Sequence, residues 1–163
     1  MTNQKLIMIE KGKNIAYRRN IGKYLQELKN FCKNVPIENE LLSLDETQNI
    51  RNCSKALDTV VARRLRMDFH EKISDKFLDF VESLYKKNRS NIFIWTPLTA
   101  ICGAYKLDSI LDFNFGFEFD SNPEGIVVLL ASNFTDKITL DFSVDRAGKK
   151  ILDIDLVGDN WGK

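Results

Sequence analysis

This 163-residue chain holds one histidine, three cysteines and three prolines. With a single histidine, any Cys–His or Ser–His–Asp site would have to use His70. In the segment MDFHEKIS, with Asp68 and Glu71 beside it, His70 reads as a partly exposed surface residue. The GxSxG, HExxH and P-loop patterns are missing, and Gly148-Lys149 has no glycine loop ahead of it to cradle a phosphate. Cys32, Cys53 and Cys102 are odd in number and show no CxxC spacing, which argues against a disulfide framework or a zinc site. Cys53 and Cys102 sit in apolar stretches and are expected to be buried, reduced thiols. The few prolines and eight glycines leave no room for long disordered parts. No stretch approaches the ~20 apolar residues of a membrane span. The N-terminal MTNQKLIMIEKGK holds no apolar run long enough for a signal-peptide core. Together these absences predict a cytoplasmic protein with no membrane partner, no catalytic residues, no metal and no cofactor.

What is present fits one domain over residues 1–163, mainly helical over 1–90 and mainly β over 91–163. Charge follows the same division. Residues 1–90 carry 18 Lys and Arg against 12 Asp and Glu, and residues 91–163 carry 6 against 11. Such an asymmetry bears on partners rather than on fold.

Apolar residues recur three or four apart at Tyr17, Ile21, Leu25, Leu28 and Phe31 or Cys32, which predicts a helix from Asn14 until Val35-Pro36 stops it. The LIMI stretch before it is open between an edge strand and something else. Asp45, with Gln48 three residues on, reads as a helix N-cap. The helical period then runs through Ile50, Cys53, Leu57, Val60 or Val61, Leu65 and Phe69 to about Lys87. A break is expected near His70 to Ser74, where Ser74-Asp75 supplies a second cap. Ile92–Trp95 reads as a buried strand, and Thr96-Pro97 as the start of a short helix.

The pattern then changes to a period of two. In ILDFNFGFEFD, Phe113, Phe115, Phe117 and Phe119 alternate with polar residues, so Ile110–Asp120 is expected to be a half-buried strand. Ile126–Leu130, Lys137–Asp145 and Lys150–Val157 follow as further strands, separated by turns at Ser121–Gly125 and Arg146–Lys149. The predicted fold is α+β: N-terminal helices packed on one face of a C-terminal antiparallel meander of about four to five strands.

On the other face of that meander parity brings together Asp112, Glu118, Asp120, Asp141, Asp145, Asp153 and Asp155, with no cation expected among them. Like charges opposite one another across a sheet destabilise it, which points to a surface that meets a basic protein partner. Asp141, Asp153 and Asp155 are also placed to converge as metal-dependent nucleases require, but the accompanying lysine two residues after an acid on the same face is missing. Arg18-Arg19 and Arg63-Arg64-Leu65-Arg66 are the basic clusters, but the segment around Arg63 alternates with Asp58, Asp68 and Glu71 and the pI is only mildly basic, so a solvated helix face is the reading and nucleic acid is not the expected partner.

In its size, α+β plan, acidic face and want of catalytic motifs, the chain resembles bacterial toxin-immunity proteins of the contact-dependent growth inhibition type. That resemblance implies a non-catalytic module that neutralises a cognate toxin, such as a basic nuclease, by electrostatically steered binding. The alternative is a small enzyme or ligand-binding protein with a pocket between helices and sheet, lined by Trp95, Phe113, Phe115 and Tyr105.

Overall fold

Three consecutive strands with tight connections form the middle of the architecture: β4 (Ile126–Ala131), β5 (Asp136–Val144) and β6 (Lys150–Gly158). In the computed structural model, which describes residues 2–59 and 63–163 apart from the side chains of Glu10 and Thr59, they belong to a six-stranded antiparallel sheet. Its remaining strands are β1 (Arg63–Asp68), β2 (Ile92–Trp95) and β3 (Tyr105–Leu107), and the order across it is β1-β6-β5-β4-β2-β3. The helices are α1 (Asn3–Phe31), α2 (Leu44–Ser54), α3 (Asp75–Lys87) and the single turn α4 (Thr99–Cys102). The chain is thus α+β, with its helices mostly before its strands.

One sheet face carries Ile92, Ile94, Val127, Leu129, Ile138, Leu140, Phe142, Leu152, Ile154 and Leu156. It packs against Tyr24, Leu28 and Phe31 of α1 and Phe77, Val81 and Leu84 of α3. The second face is divided. Ile50 of α2 and Leu57 from the 3-10 turn after it cover Phe93, Leu130 and Val157 in a small separate core. α2 therefore lies on the side opposite α1 and α3, and the β5–β6–β1 half of that outer face is left open.

Two expected elements differ. Ile110–Asp120 is not a strand: it opens with a 3-10 turn (Ile110–Asp112) and continues as irregular turns, with one bridge between Phe113 and Cys32. The alternation of burial holds all the same, with Phe113, Phe115 and Phe117 buried and Gly116 and Glu118 exposed. The phenylalanines plug the space between α1, α3 and the sheet. Phe117 lies 5.2 Å from Phe31, 5.6 Å from Phe69 and 5.1 Å from Phe142, in edge-on or tilted geometry. A ladder partner was never required to bury them.

The expected helix through Leu65 gives way to β1. Leu65 and Met67 face the core while Arg64, Arg66 and Asp68 face out, a period of two hidden inside a loosely helical one. Pairing with β6 and two arginine–aspartate contacts outweigh the helix propensity of Leu, Arg and Met. Val60 and Val61 lie outside the described residues. The cap at Ser74 is as expected, its Oγ accepting from Phe77 N at 3.2 Å. The earlier cap is Ser43 with Glu46, a reciprocal capping box, rather than Asp45 with Gln48. α1 begins at Asn3, so LIMI is helical.

Candidate functional site

The strand registers fix the composition of the open outer face. Arg64, Asp155, Thr139 and Val128 form one row across β1, β6, β5 and β4, and Arg66, Asp153, Asp141 and Ile126 form the next. Lys137 stands on the same face, two residues before Thr139 on β5.

Of the seven carboxylates expected to share this face, four are elsewhere. Asp112 caps the turn at Ser109, accepting from Ser109 N at 3.1 Å, and Glu118 and Asp120 lie in the turns that follow. They were placed by parity on a strand that does not form. Asp145 sits at the β5–β6 turn, where its Oδ1 accepts from Ala147 N and Lys149 N, both at 2.9 Å, and so serves the turn.

Asp153 and Asp155 are on the face but are not free of cations. Arg66 Nε donates to Asp153 Oδ1 at 2.6 Å and Nη2 to Oδ2 at 2.9 Å. Arg64 makes the equivalent fork on Asp155, at 2.7 and 3.3 Å. The Arg66 contact, ahead of any opposing effect of burial, holds the Asp153 carboxyl below its ordinary value. Farther along, Lys137 Nζ reaches Asp58 Oδ1 at 2.6 Å, and at the strand ends Lys149 meets Asp68 at 2.8 Å. The face is thus mixed in sign, because β1 is a strand that brings Arg64 and Arg66 onto it, whereas the expected helix would carry them to a different surface. An R-x-R pattern matching a D-x-D pattern was the signal that pointed to this pairing.

Asp141 is the exception. It is exposed, directly opposite Asp153 across β5–β6, and no cation reaches it among the described residues. Partial desolvation against the sheet, then the charges of Asp153 and Asp155, hold its carboxyl above its ordinary value. What remains of the acidic surface is therefore Asp141, with Asp153 and Asp155 one strand away. Arginines that keep two carboxylates rigid and a third that is left alone make an arrangement suited to receiving one further cation.

The four aromatics expected to line one pocket do not meet. Phe113 and Phe115 belong to the core and border a groove beside α3, Tyr105 is buried on β3, and Trp95 is half-buried on the outer face next to α2. Tyr105 Oη donates to Glu40 at 2.8 Å. His70 is exposed on a 3-10 turn. Cys32 and Cys102 are buried, whereas Cys53 is exposed on α2, whose buried residues are Thr47 and Ile50. Among the described residues no three His, Cys, Asp or Glu side chains are grouped to hold a metal ion, and no helix is long and apolar enough to cross a membrane.

Sequence reasoning also missed a buried hub. Asp136, fully enclosed at the start of β5, accepts from Asn160 N, Asn160 Nδ2, Trp161 N and Asn88 Nδ2, each at 2.8 Å. It ties the C-terminal turn to the end of α3, where Trp161 Nε1 donates to Leu84 O at 3.1 Å. Comparison with known protein families, with characterised proteins and with solved structures gives no match.

Proposed function

We propose that this protein is a non-catalytic binding module, an immunity protein that neutralises a toxin of the contact-dependent growth inhibition type in the cytoplasm, and that it binds a basic partner through the open β5–β6 surface around Asp141. The observation that carries the reading is Asp141 itself: a solvent-facing carboxylate, opposite Asp153, with no cation of its own among the described residues. Two like charges opposite one another cost the free sheet a few tenths to about 1 kcal/mol. A lysine or arginine of the partner removes that cost on binding, and neutralising Asp141 recovers it in the free protein. The flanking Arg64–Asp155 and Arg66–Asp153 forks hold their carboxylates in place, so the incoming cation meets a surface that is already ordered.

The test uses a toxin domain encoded beside this protein. Cells that express the chain should survive the toxin, and the association rate of the two purified proteins should fall steeply with salt. Asp141→Lys should slow association by about tenfold or more and flatten its salt dependence, while raising thermal stability slightly. Asp153 is a poorer choice for this test, because its loss strands Arg66. If Asp141→Lys leaves both the rate and the protection unchanged, the outer face is not the binding surface.

A further inference from the structure

We infer that the free edge of β1 accepts an added β-strand from a protein partner, and that the added strand is acidic with apolar residues at alternate positions. Among the described residues nothing pairs with the side of β1 that faces away from β6. The opposite sheet edge, β3, has three residues and offers too short a template, whereas β1 has six. An edge strand of that length presents backbone donors and acceptors to any extended segment that lies beside it.

Beside this edge the space between β1 and α3 is a groove of about 430 Å³, floored by Leu65 and Met67 of the strand and by Phe77 and Phe80 of the helix. Side chains of an added strand alternate between the two faces of the sheet. Those on the inner face would enter this groove, so they are apolar. Those on the outer face would come alongside Arg64 and Arg66. Arg63, Arg66 and Lys76 surround the groove, against one anion, Glu71. The Arg63 guanidinium lies 6.0 Å from the Phe80 ring and Arg63 Nη1 only 3.3 Å from Lys163 O, a long contact that leaves most of its donors free. Arg64 and Arg66 are largely exposed and each has used only one side of the guanidinium fork on an aspartate, so a second carboxylate can be taken.

The same arginines argue against a second copy of this chain as the occupant. The two longest antiparallel β1–β1 registers that keep both apolar faces inward place Arg64 opposite Arg66 twice, or Arg66 opposite itself with Arg64 opposite Asp68, a carboxylate already held by Lys149. Like charges so placed oppose the pairing. An acidic strand turns that repulsion into attraction. This surface and the one around Asp141 attract opposite charges, so each can fail without the other.

The probe is a fluorescein-labelled peptide of about eight residues alternating Glu and Val, measured by polarisation against the whole protein. It is expected to bind at least about tenfold more tightly than a Lys–Val peptide of the same pattern, and more tightly by a similar factor than a Glu–Val peptide N-methylated at every second residue. Arg64→Gln with Arg66→Gln, shown to be folded by its thermal melt, leaves Asp155 and Asp153 unpaired on the outer face, so this charge reversal of the face is expected to reverse the order of the Glu–Val and Lys–Val peptides. Asp141→Lys is expected to leave it unchanged. Failure of the Glu–Val peptide to bind overturns the proposal. So does equal binding of the N-methylated peptide, which would mean charge attraction without strand pairing, or indifference to the charge reversal.

Discussion

Asp136, Lys72 and Glu27 are all buried ionisable residues, and each handles its burial differently. For Asp136, burial alone pushes the carboxyl up, but hydrogen bonds from Asn160, Trp161 and Thr135 outweigh it and hold the group below its ordinary value. Stability from such a group is present above the unfolded carboxylate value near 3.9 and is lost as pH falls through the folded one. Asp136→Ala leaves Asn160 Nδ2 and the backbone N–H groups of Asn160 and Trp161 without their acceptor and is expected to cost about 3–5 kcal/mol in urea denaturation. Lys72 is only 3% exposed, its Nζ 4.0 Å from the Phe69 ring and 4.7 Å from the Phe117 ring. Burial pushes its ammonium down to about 8, with Glu118 opposing the shift. The folded state therefore binds this proton less well than the unfolded chain, so stability rises as pH climbs from about 8 towards the ordinary lysine value near 10.4. The wild type should gain in denaturation midpoint over that window relative to Lys72→Met. Neither oxygen of Glu27 has a hydrogen-bond partner among the described residues, and burial, then Glu124, raises its carboxyl. Glu27→Met should stabilise the protein at pH 7 by about 1–3 kcal/mol, the cost of an unsatisfied buried polar group.

Among the elements, α1 and the phenylalanine segment differ most in how they are supported. Tyr24, Leu28 and Phe31 in the second half of α1 are fully buried, while Leu6, Ile7, Met8 and Ile15 in its first half are 49–73% exposed. A helix without tertiary packing is marginal in water. Backbone amides of residues 5–13 should therefore exchange much faster than those of residues 21–31, read by hydrogen-exchange mass spectrometry. The phenylalanine segment has no ladder to hold it, so its stability rests on packing. Phe117→Ala should cost about 3–5 kcal/mol, and Phe119→Ala, at the partly buried rim, clearly less. Equal costs would mean that the cluster does not centre on Phe117.

For the whole molecule, the charge division between the two halves of the chain is resolved by folding. Arg64 and Arg66 from the basic half pair with Asp155 and Asp153 from the acidic half, and Asp58 and Asp68 pair in the other direction with Lys137 and Lys149. Exposed pairs of this kind contribute little stability each, but they fix where β1 joins the sheet. That joint brings Arg63 opposite Leu156, so a large loop closes before β1 has a partner, and β1 should be among the last strands to pair. Folding also sorts the thiols. One thiol, Cys53, should react with a thiol reagent in the native protein and all three in urea; more than one fast native thiol would mean that the core around Cys32 or Cys102 opens.

Local pattern was enough to determine the α+β class, the meander β4–β5–β6, the strand at Ile92–Trp95 and the cap at Ser74, because each depends on neighbours a few residues apart. It also determined that Phe113, Phe115 and Phe117 are buried, since burial follows the alternation there whether or not a ladder forms, while Phe119 is left at the partly buried rim. Only the tertiary structure decided that Arg63–Asp68 is a strand, that α2 crosses to the outer face, and that Asp153 and Asp155 are partnered while Asp141 is not. Those outcomes depend on partners roughly 90 residues away along the chain, and a short stretch such as RRLRMD satisfies a helical and an extended period equally well until such a partner is in place.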